Sequence, residues 1–177
     1  IGLTYKPSDV CDDGIIVLRA SNIQNGELAL NDIVRVNKEI KSNLLVKKGD
    51  ILMCSRSGSA RVVGKATLIP DLNEKMTFGA FMTVIRSDYN VYLLHYIRTN
   101  AFRNQIKTGA TTTINQITLK MLDDIKVPLP PLELQNQFAE KVQKIEKQKQ
   151  LLQQSLALLE DNFNSLMQKA FRGELFQ

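Results

Sequence analysis

Arginine and asparagine are the side chains whose paired polar atoms best match the edges of guanine and adenine, and both occur in the segment Arg19-Ala20-Ser21-Asn22. A second polar segment is Ser55-Arg56-Ser57-Gly58-Ser59-Ala60-Arg61. Its small hydroxyls and glycine let backbone amides approach phosphate, and its two arginines can neutralise phosphate or reach into a groove. A third runs from Lys107 through Thr108, Gly109, Ala110, Thr111, Thr112, Thr113, Ile114 and Asn115 to Gln116. The candidate contact residues are Arg19, Ser21, Asn22, Ser55, Arg56, Ser57, Arg61, Lys107, Thr111, Thr112 and Asn115. Each has a plainer use: Arg19 and Asn22 suit the fixing of a turn, and the Ser and Thr runs suit a solvated loop. Three such segments in one basic region favour double-stranded DNA as the ligand.

The charge distribution points the same way. The 177-residue chain carries a formal charge of +5, and residues 132–177 contain six Lys/Arg and six Asp/Glu, which leaves seventeen against twelve in residues 1–131. Two tracts hold bases and no acids: Ile51 to Pro70, with Arg56, Arg61 and Lys65, and Tyr89 to Leu122, with Arg98, Arg103, Lys107 and Lys120. Clustered bases gain free energy by releasing counterions from a phosphate backbone, whereas a modest surplus by itself serves only solubility.

Catalytic patterns are sparse. His95 lies inside a helical pattern without a Ser or Cys nucleophile motif beside it. Neither GxGxxG nor GxxxxGK[ST] occurs, so a phosphate-cradling nucleotide site is unsupported. Asp32 with Glu39 and Lys41 faintly resembles the acid and ExK spacing of a metal-dependent nuclease, a string short enough to arise by chance. Pro128-Leu129-Pro130-Pro131 lacks the Asn and aromatic residue of an amino-methyltransferase loop. Cys11 and Cys54 stand far apart with no CxxC or Cys/His cluster, and are expected to be reduced thiols in a cytoplasmic protein. No run approaches the roughly 18 apolar residues of a membrane span, and no basic segment leads into an apolar one as in a secretion signal. The expectation is a binder that needs no cofactor or metal.

These loops need a scaffold, and the apolar pattern predicts one made mostly of strands. Candidates are Ile15–Leu18, Ile33–Val36, Ile51–Cys54, Ala66–Ile69 and Phe81–Ile85, with a last strand at Ile125–Val127. Turn residues such as Asn25-Gly26, Lys48-Gly49-Asp50, Gly58 and Pro70-Asp71 bound them. One helix interrupts, capped by Asp88 or Asn90, with Leu93, Ile97 and Ala101 on one face and a stop near Gly109. The expected fold is α+β: a mixed, largely antiparallel domain over residues 1–131, followed by a long coiled-coil-forming helix over 132–177.

That helix is marked by apolar residues spaced three and four apart: Phe138, Val142, Ile145, Leu152, Leu156, Leu159, Phe163, Leu166 and Ala170, with Lys149 as the one polar interruption. A period of 3.5 keeps such a stripe on one side only if the helix supercoils against a partner. With Val142, Lys149, Leu156 and Phe163 as a positions, Lys149 falls in the seam, where a polar residue lowers stability but opposes wrong registers; the alternative is an ammonium that snorkels to the edge. Leu151 and Leu158 at c positions widen the stripe beyond a two-helix seam. About 40 residues at 1.5 Å each give roughly 60 Å, more than one DNA turn of about 34 Å.

Taken together, the segments resemble the specificity subunit of type I restriction-modification systems along nearly the whole chain. Gly2-Leu3-Thr4-Tyr5-Lys6-Pro7 and Gly14 to Ile23 resemble the opening of a target-recognition domain. Lys48 to Leu52 followed by Ser55-Arg56-Ser57-Gly58 resembles its central strand and loop. Gly109 to Thr112, then Ile125 to Pro131 and Leu134-Gln135-Asn136-Gln137-Phe138, resemble the junction to the family's helix, although many members have Glu-Gln where Leu134-Gln135 stands. The resemblance implies a non-catalytic subunit with two domains and two helices that binds a bipartite DNA sequence. It implies partners: modification (methyltransferase) subunits, which hold S-adenosylmethionine and methylate adenine, and, through them, restriction subunits that cleave. One domain and one helix stand here, so the helix is expected to pair with a second specificity half, either in a homodimer or in a longer subunit. Antiparallel pairing of two copies would place one basic domain at each end of the rod and give a symmetric, interrupted site. The start at Ile1 is late for the family, which implies preceding residues. Two other classes stay open on the residues alone: a coiled-coil interaction module that binds no DNA, and the metal-dependent nuclease.

Overall fold

The computed structural model describes residues 2–106 and 116–175. The chain divides into two compact units, Ile1–Leu129 and Pro130–Gln177. The first unit is α+β. Strand β1 (Val10–Leu18) lies between β4 (Arg35–Val36), antiparallel to it, and β7 (Met76–Phe78), parallel to it. A second sheet has β5 (Ile51–Cys54) at its centre, antiparallel to both β6 (Ala66–Leu68) and β8 (Met82–Ile85). A small hairpin pairs β2 (Ile23–Gln24) with β3 (Glu27–Leu28). Its turn places Asn25 and Gly26 at φ of 52° and 83°, the left-handed pair that a two-residue hairpin requires.

Why Ile-Leu-Met-Cys forms the central strand follows from its burial on both faces. Leu52 and Cys54 join the core between the sheets with Ile16, Leu18, Met76 and Phe78. Ile51 and Met53 point the other way, into a core with Val63, Leu94, Ile97 and Phe102. A strand covered on both sides reads as a continuous apolar run rather than an alternating one. Its start is held by Arg86, whose Nε donates to Asp50 Oδ1 at 2.9 Å and whose terminal nitrogen donates to Leu45 O at 2.6 Å.

The expected helix breaks into two. Helix α1 (Asn90–Ile97) and α2 (Asn100–Gln105) are separated at Thr99, whose hydroxyl accepts from the Phe102 amide at 3.3 Å and caps the second. Neither expected cap is used at the start. Tyr89 occupies the capping position, and Asn90, already helical, donates from Nδ2 to Gly49 O and Ile85 O. Leu94, Ile97 and Phe102 form the buried face, while Ala101 is exposed. The expected stop near Gly109 lies outside the described residues.

Ile125–Val127 is not a strand, because the Gln105 side chain takes the place of a neighbouring one. Its Oε1 accepts from the Lys126 amide at 2.9 Å and its Nε2 donates to Lys126 O at 2.9 Å. A short helix, α3 (Leu119–Asp123), precedes this segment and is capped by the Thr118 hydroxyl. The strand expected at Ile33 shortens to Arg35–Val36, although Val34 O still accepts from the Val17 amide at 2.8 Å. The strand expected at Phe81 begins one residue later, which leaves Phe81 in a turn.

The second unit is one helix, α4 (Leu132–Phe171), 40 residues long. It starts after the prolines, where a missing amide costs nothing, and Gln135 Nε2 donates back to Pro130 O at 2.7 Å. It ends at Gly173 with φ of 75°: Gly173 N donates to Ala170 O and Glu174 N to Lys169 O, the paired bonds of a Schellman stop.

On the first sheet, Arg35 bonds Glu74 at 2.7 and 2.9 Å and Gly14 O at 2.9 Å, linking β4, the middle of β1 and the approach to β7. The Arg35 guanidinium holds the Glu74 carboxyl below its ordinary value of 4.5. A depressed carboxylate stabilises the fold above the unfolded pKa and loses that contribution as pH falls through the folded one. Below about pH 4.5, thermal unfolding of Glu74→Gln is therefore expected to depend less steeply on pH than that of the unmodified chain. Equal slopes in a pH series of melting curves would remove this clamp from the acid response.

Candidate nucleic-acid interface

The first loop leaves β1 and turns at once. Asn22 is fully buried, its Oδ1 accepting from the Arg19 amide at 2.8 Å and its Nδ2 donating to Ala29 O at 2.9 Å and Asp32 O at 2.8 Å. The side chain thus holds Arg19–Asp32 in one conformation and offers nothing to a base; of the two uses open from the sequence, it has the turn-fixing one. Arg19 is held next to it. One terminal nitrogen donates to both Asp32 oxygens at 3.0 Å, and Nε is buried with no hydrogen-bond partner. Asp32 is accordingly an ion-pair partner, and among the described residues no group of three His, Cys, Asp or Glu could hold a metal ion.

The second loop continues straight out of β5. Ser55 is buried, and its Oγ donates to Phe81 O at 3.0 Å, so it too has a structural use. The amides of Ser55 and Arg56 converge on the same oxygen at 2.9 and 3.1 Å. Arg56 is exposed, with its guanidinium carbon 5.8 Å from the centre of the Phe81 ring. Arg56 also pairs in an isolated bridge with Gln116, and Ser55 O accepts from the Ile117 amide at 2.7 Å. The end of the third loop is thereby brought to the second. Lys107, Thr111, Thr112 and Asn115 lie outside the described residues.

Arg19 and Ser21 from the first loop, and Arg56 and Ser57 from the second, line one concavity of about 590 Å³. Phe81 and Tyr5 complete it and were missed from the sequence. Phe81 is 59% exposed. In the sequence it reads as the first residue of a strand, and only its place directly after Gly79-Ala80 signals a turn. Arg61 is exposed but does not line this concavity. A second hollow gathers Lys65, Arg98 and Arg103 beside the Asn25-Gly26 turn. Arg98 is oriented there by Gly26 O at 2.8 Å and Ala66 O at 3.2 Å. The first surface mixes hydroxyl and guanidinium groups and the second gathers cationic ones; both can hydrogen-bond phosphates, and their guanidinium groups can reach base edges, which is what duplex recognition requires.

Other reactive groups are committed elsewhere. Both cysteines are free; burial pushes the Cys54 thiol up, which keeps it protonated, and its Sγ lies 3.4 Å from Arg56 O. His95 is half-buried in α1.

On α4, Phe138, Val142, Ile145, Lys149, Leu152, Leu156, Leu159, Phe163 and Leu166 all fall within the continuous helix. From Ile145 onward the large apolar members are exposed, Leu152 the most at 70%. Leu151 and Leu158 are exposed with them. Lys149 Nζ bends to Glu146 Oε2 at 2.9 Å, one turn back along the helix. No helix of the described residues is long and apolar enough to cross a membrane.

The fold of this chain, a strand-rich unit followed by a long helix, is shared with chains of solved type I restriction-modification proteins. A chain from a structure addressing complex assembly and conformational transition of a type I system superposes with a TM-score of 0.69 at 22% identity, covering 98% of this chain and 43% of that one. The HsdS subunit from Thermoanaerobacter tengcongensis gives 0.61 at 19% identity, covering 88% and 41%. This chain belongs to the type I restriction modification DNA specificity domain family, whose model matches residues 2–161. It is 35% identical over 150 residues to the type I restriction enzyme EcoKI specificity subunit of Escherichia coli K12, a match over 80% of this chain and 32% of that protein. To the StySPI specificity subunit of Salmonella potsdam it is 34% identical, with the same coverage. The chain thus spans about a third of the length of these relatives.

The separation of structural from surface polar residues is testable. Asn22→Ala removes three hydrogen bonds from a fully buried side chain to the backbone of Arg19, Ala29 and Asp32, and is expected to lower the unfolding free energy by about 3 kcal/mol. Ser21→Ala, at an exposed hydroxyl, is expected to stay within about 0.5 kcal/mol. Denaturant titration of the two variants checks the contrast, and equal effects would return Asn22 to the candidate contacts.

Proposed function

We propose that this chain is a non-catalytic, sequence-reading half of a type I specificity subunit. Residues 1–131 recognise one half of a bipartite double-stranded DNA site. Residues 132–177 pair through α4 with a second specificity half, supplied by another copy or by the rest of a longer subunit. The assembly directs modification subunits, and through them restriction subunits, to that site. The observation that carries this reading is the convergence of Arg19, Ser21, Arg56 and Ser57 on one concavity in the basic unit. Arg56 is the principal base-reading candidate, since its guanidinium has no carboxylate partner in the described structure, whereas Arg19 is already held by Asp32.

Selection from a random duplex pool, with the modification subunits present, tests the reading. One interrupted sequence is expected to be enriched. Arg56→Ala is then expected to weaken binding by about 1–3 kcal/mol and to relax preference at one position, while Arg61→Ala weakens all duplexes alike and flattens the salt dependence. Equal affinity for every duplex would sink the proposal, and pairing without duplex binding would favour a purely structural interaction module.

The exposed stripe on α4 supports the pairing half. Lys149→Leu removes a charged group from an otherwise apolar row, so it is expected to tighten helix pairing and to admit additional registers. Native mass spectrometry and cross-linking read both. Unchanged stability with a single register would place Lys149 outside the seam.

A further inference from the structure

Among the described residues of the basic unit, no large apolar side chain is more exposed than Phe81, yet its backbone is among the most firmly held. Its carbonyl oxygen accepts from Ser55 N, Ser55 Oγ and Arg56 N at 2.9, 3.0 and 3.1 Å. The turn before it is closed by Met82 N donating to Gly79 O at 2.9 Å, and Gly79 N donates to Leu18 O at 2.9 Å. Leu3 bridges to Gly79 from the other side. A phenyl ring recruited for stability would be covered, as those of Phe78 and Phe102 are, at 6% and 2% exposed. Here a fixed platform holds the ring out into the concavity that contains Arg19, Ser21 and Ser57.

Resting on the reading of this unit as a DNA-binding one, we infer that Phe81 is a specificity-determining residue that packs against the 5-methyl group of a thymine in the major groove. In that groove thymine alone among the four bases displays a methyl group, and an aromatic edge is a suitable apolar partner for it. The ring cannot satisfy the amino group that cytosine or adenine would present, so the contact discriminates as well as attracts. Arg56 sharpens the assignment. Its guanidinium, 5.8 Å from the ring centre, is kept beside Phe81, and a fork at that distance reaches a neighbouring base pair, where guanine O6 and N7 are its best acceptors. Phe81 and Arg56 then act as one reading unit for a thymine next to a guanine. The ring stays outside the base stack, because its carbonyl is anchored to the same strand end that carries Arg56.

The test uses the full chain with its modification subunits and the sequence enriched by the unmodified assembly. Each thymine of that duplex is replaced in turn by deoxyuridine, which removes only the 5-methyl group. One replacement is expected to weaken binding about fourfold, the equivalent of one buried methylene. Phe81→Ala is expected to weaken binding of the thymine duplex at least as much and to abolish the difference between thymine and deoxyuridine at that position. Phe81→Leu, which keeps apolar bulk, retains part of the difference and shows that the platform is intact. If the two changes are additive at every thymine, or if 2-aminopurine beside the position brightens on binding as an unstacked base does, the inference is overturned while sequence-specific binding stands. If the unmodified assembly enriches no sequence, the inference falls together with the DNA-binding reading.

Discussion

Strand β5 has no face to solvent: all four residues from Ile51 to Cys54 are completely buried, alternately in the core between the sheets and in the core under the helices. Burying a side chain of this size contributes about 1.5–3 kcal/mol, so one short strand adds that stabilisation to both cores at once. Ser55, next in sequence, is still buried, and Arg56 and Ser57 emerge from this anchored strand end into the concavity. Their position is therefore set by the interior rather than by the loop. That degree of anchoring also tolerates the buried, unpartnered Arg19 Nε, a defect on the order of 1–3 kcal/mol.

What could be read from the sequence was what burial and period dictate. The apolar run at 51–54, the strand ending at Leu18 and the forty-residue helix all have patterns that tertiary structure reinforces. What escaped was decided by single side chains acting at a distance. Gln105 satisfies Lys126 in place of a strand, and Thr99 divides one helical pattern into two. Strands as short as Met76–Phe78 or Glu27–Leu28 contain too few residues to show a period. Of the candidate contacts, Asn22 and Ser55 have polar groups suited to a base or phosphate, but burial directs them inward. Phe81 is hidden in the sequence because an apolar residue beside a strand reads as core until its exposure is known.

The two units divide the physical tasks. The first holds the charge surplus and two guanidinium-bearing hollows. The second is electrically balanced and carries an apolar stripe whose large members are open to solvent from Ile145 onward. Exposed leucine on that scale is the kind of surface that marks an interaction site. On the proposed function, charge on one unit and apolar surface on the other keep duplex and helix partner from competing for one surface.

The three bonds that fix Phe81 all end on its main-chain oxygen, and two of the three donors are main-chain amides. The platform is therefore indifferent to which side chain it displays. A codon change at position 81 alters the surface presented to a ligand without withdrawing any group that the fold relies on. If Phe81 reads the target as inferred, new binding preferences can be sampled there one residue at a time, and selection for a stable core and selection for a changed target act on different atoms of the same residue.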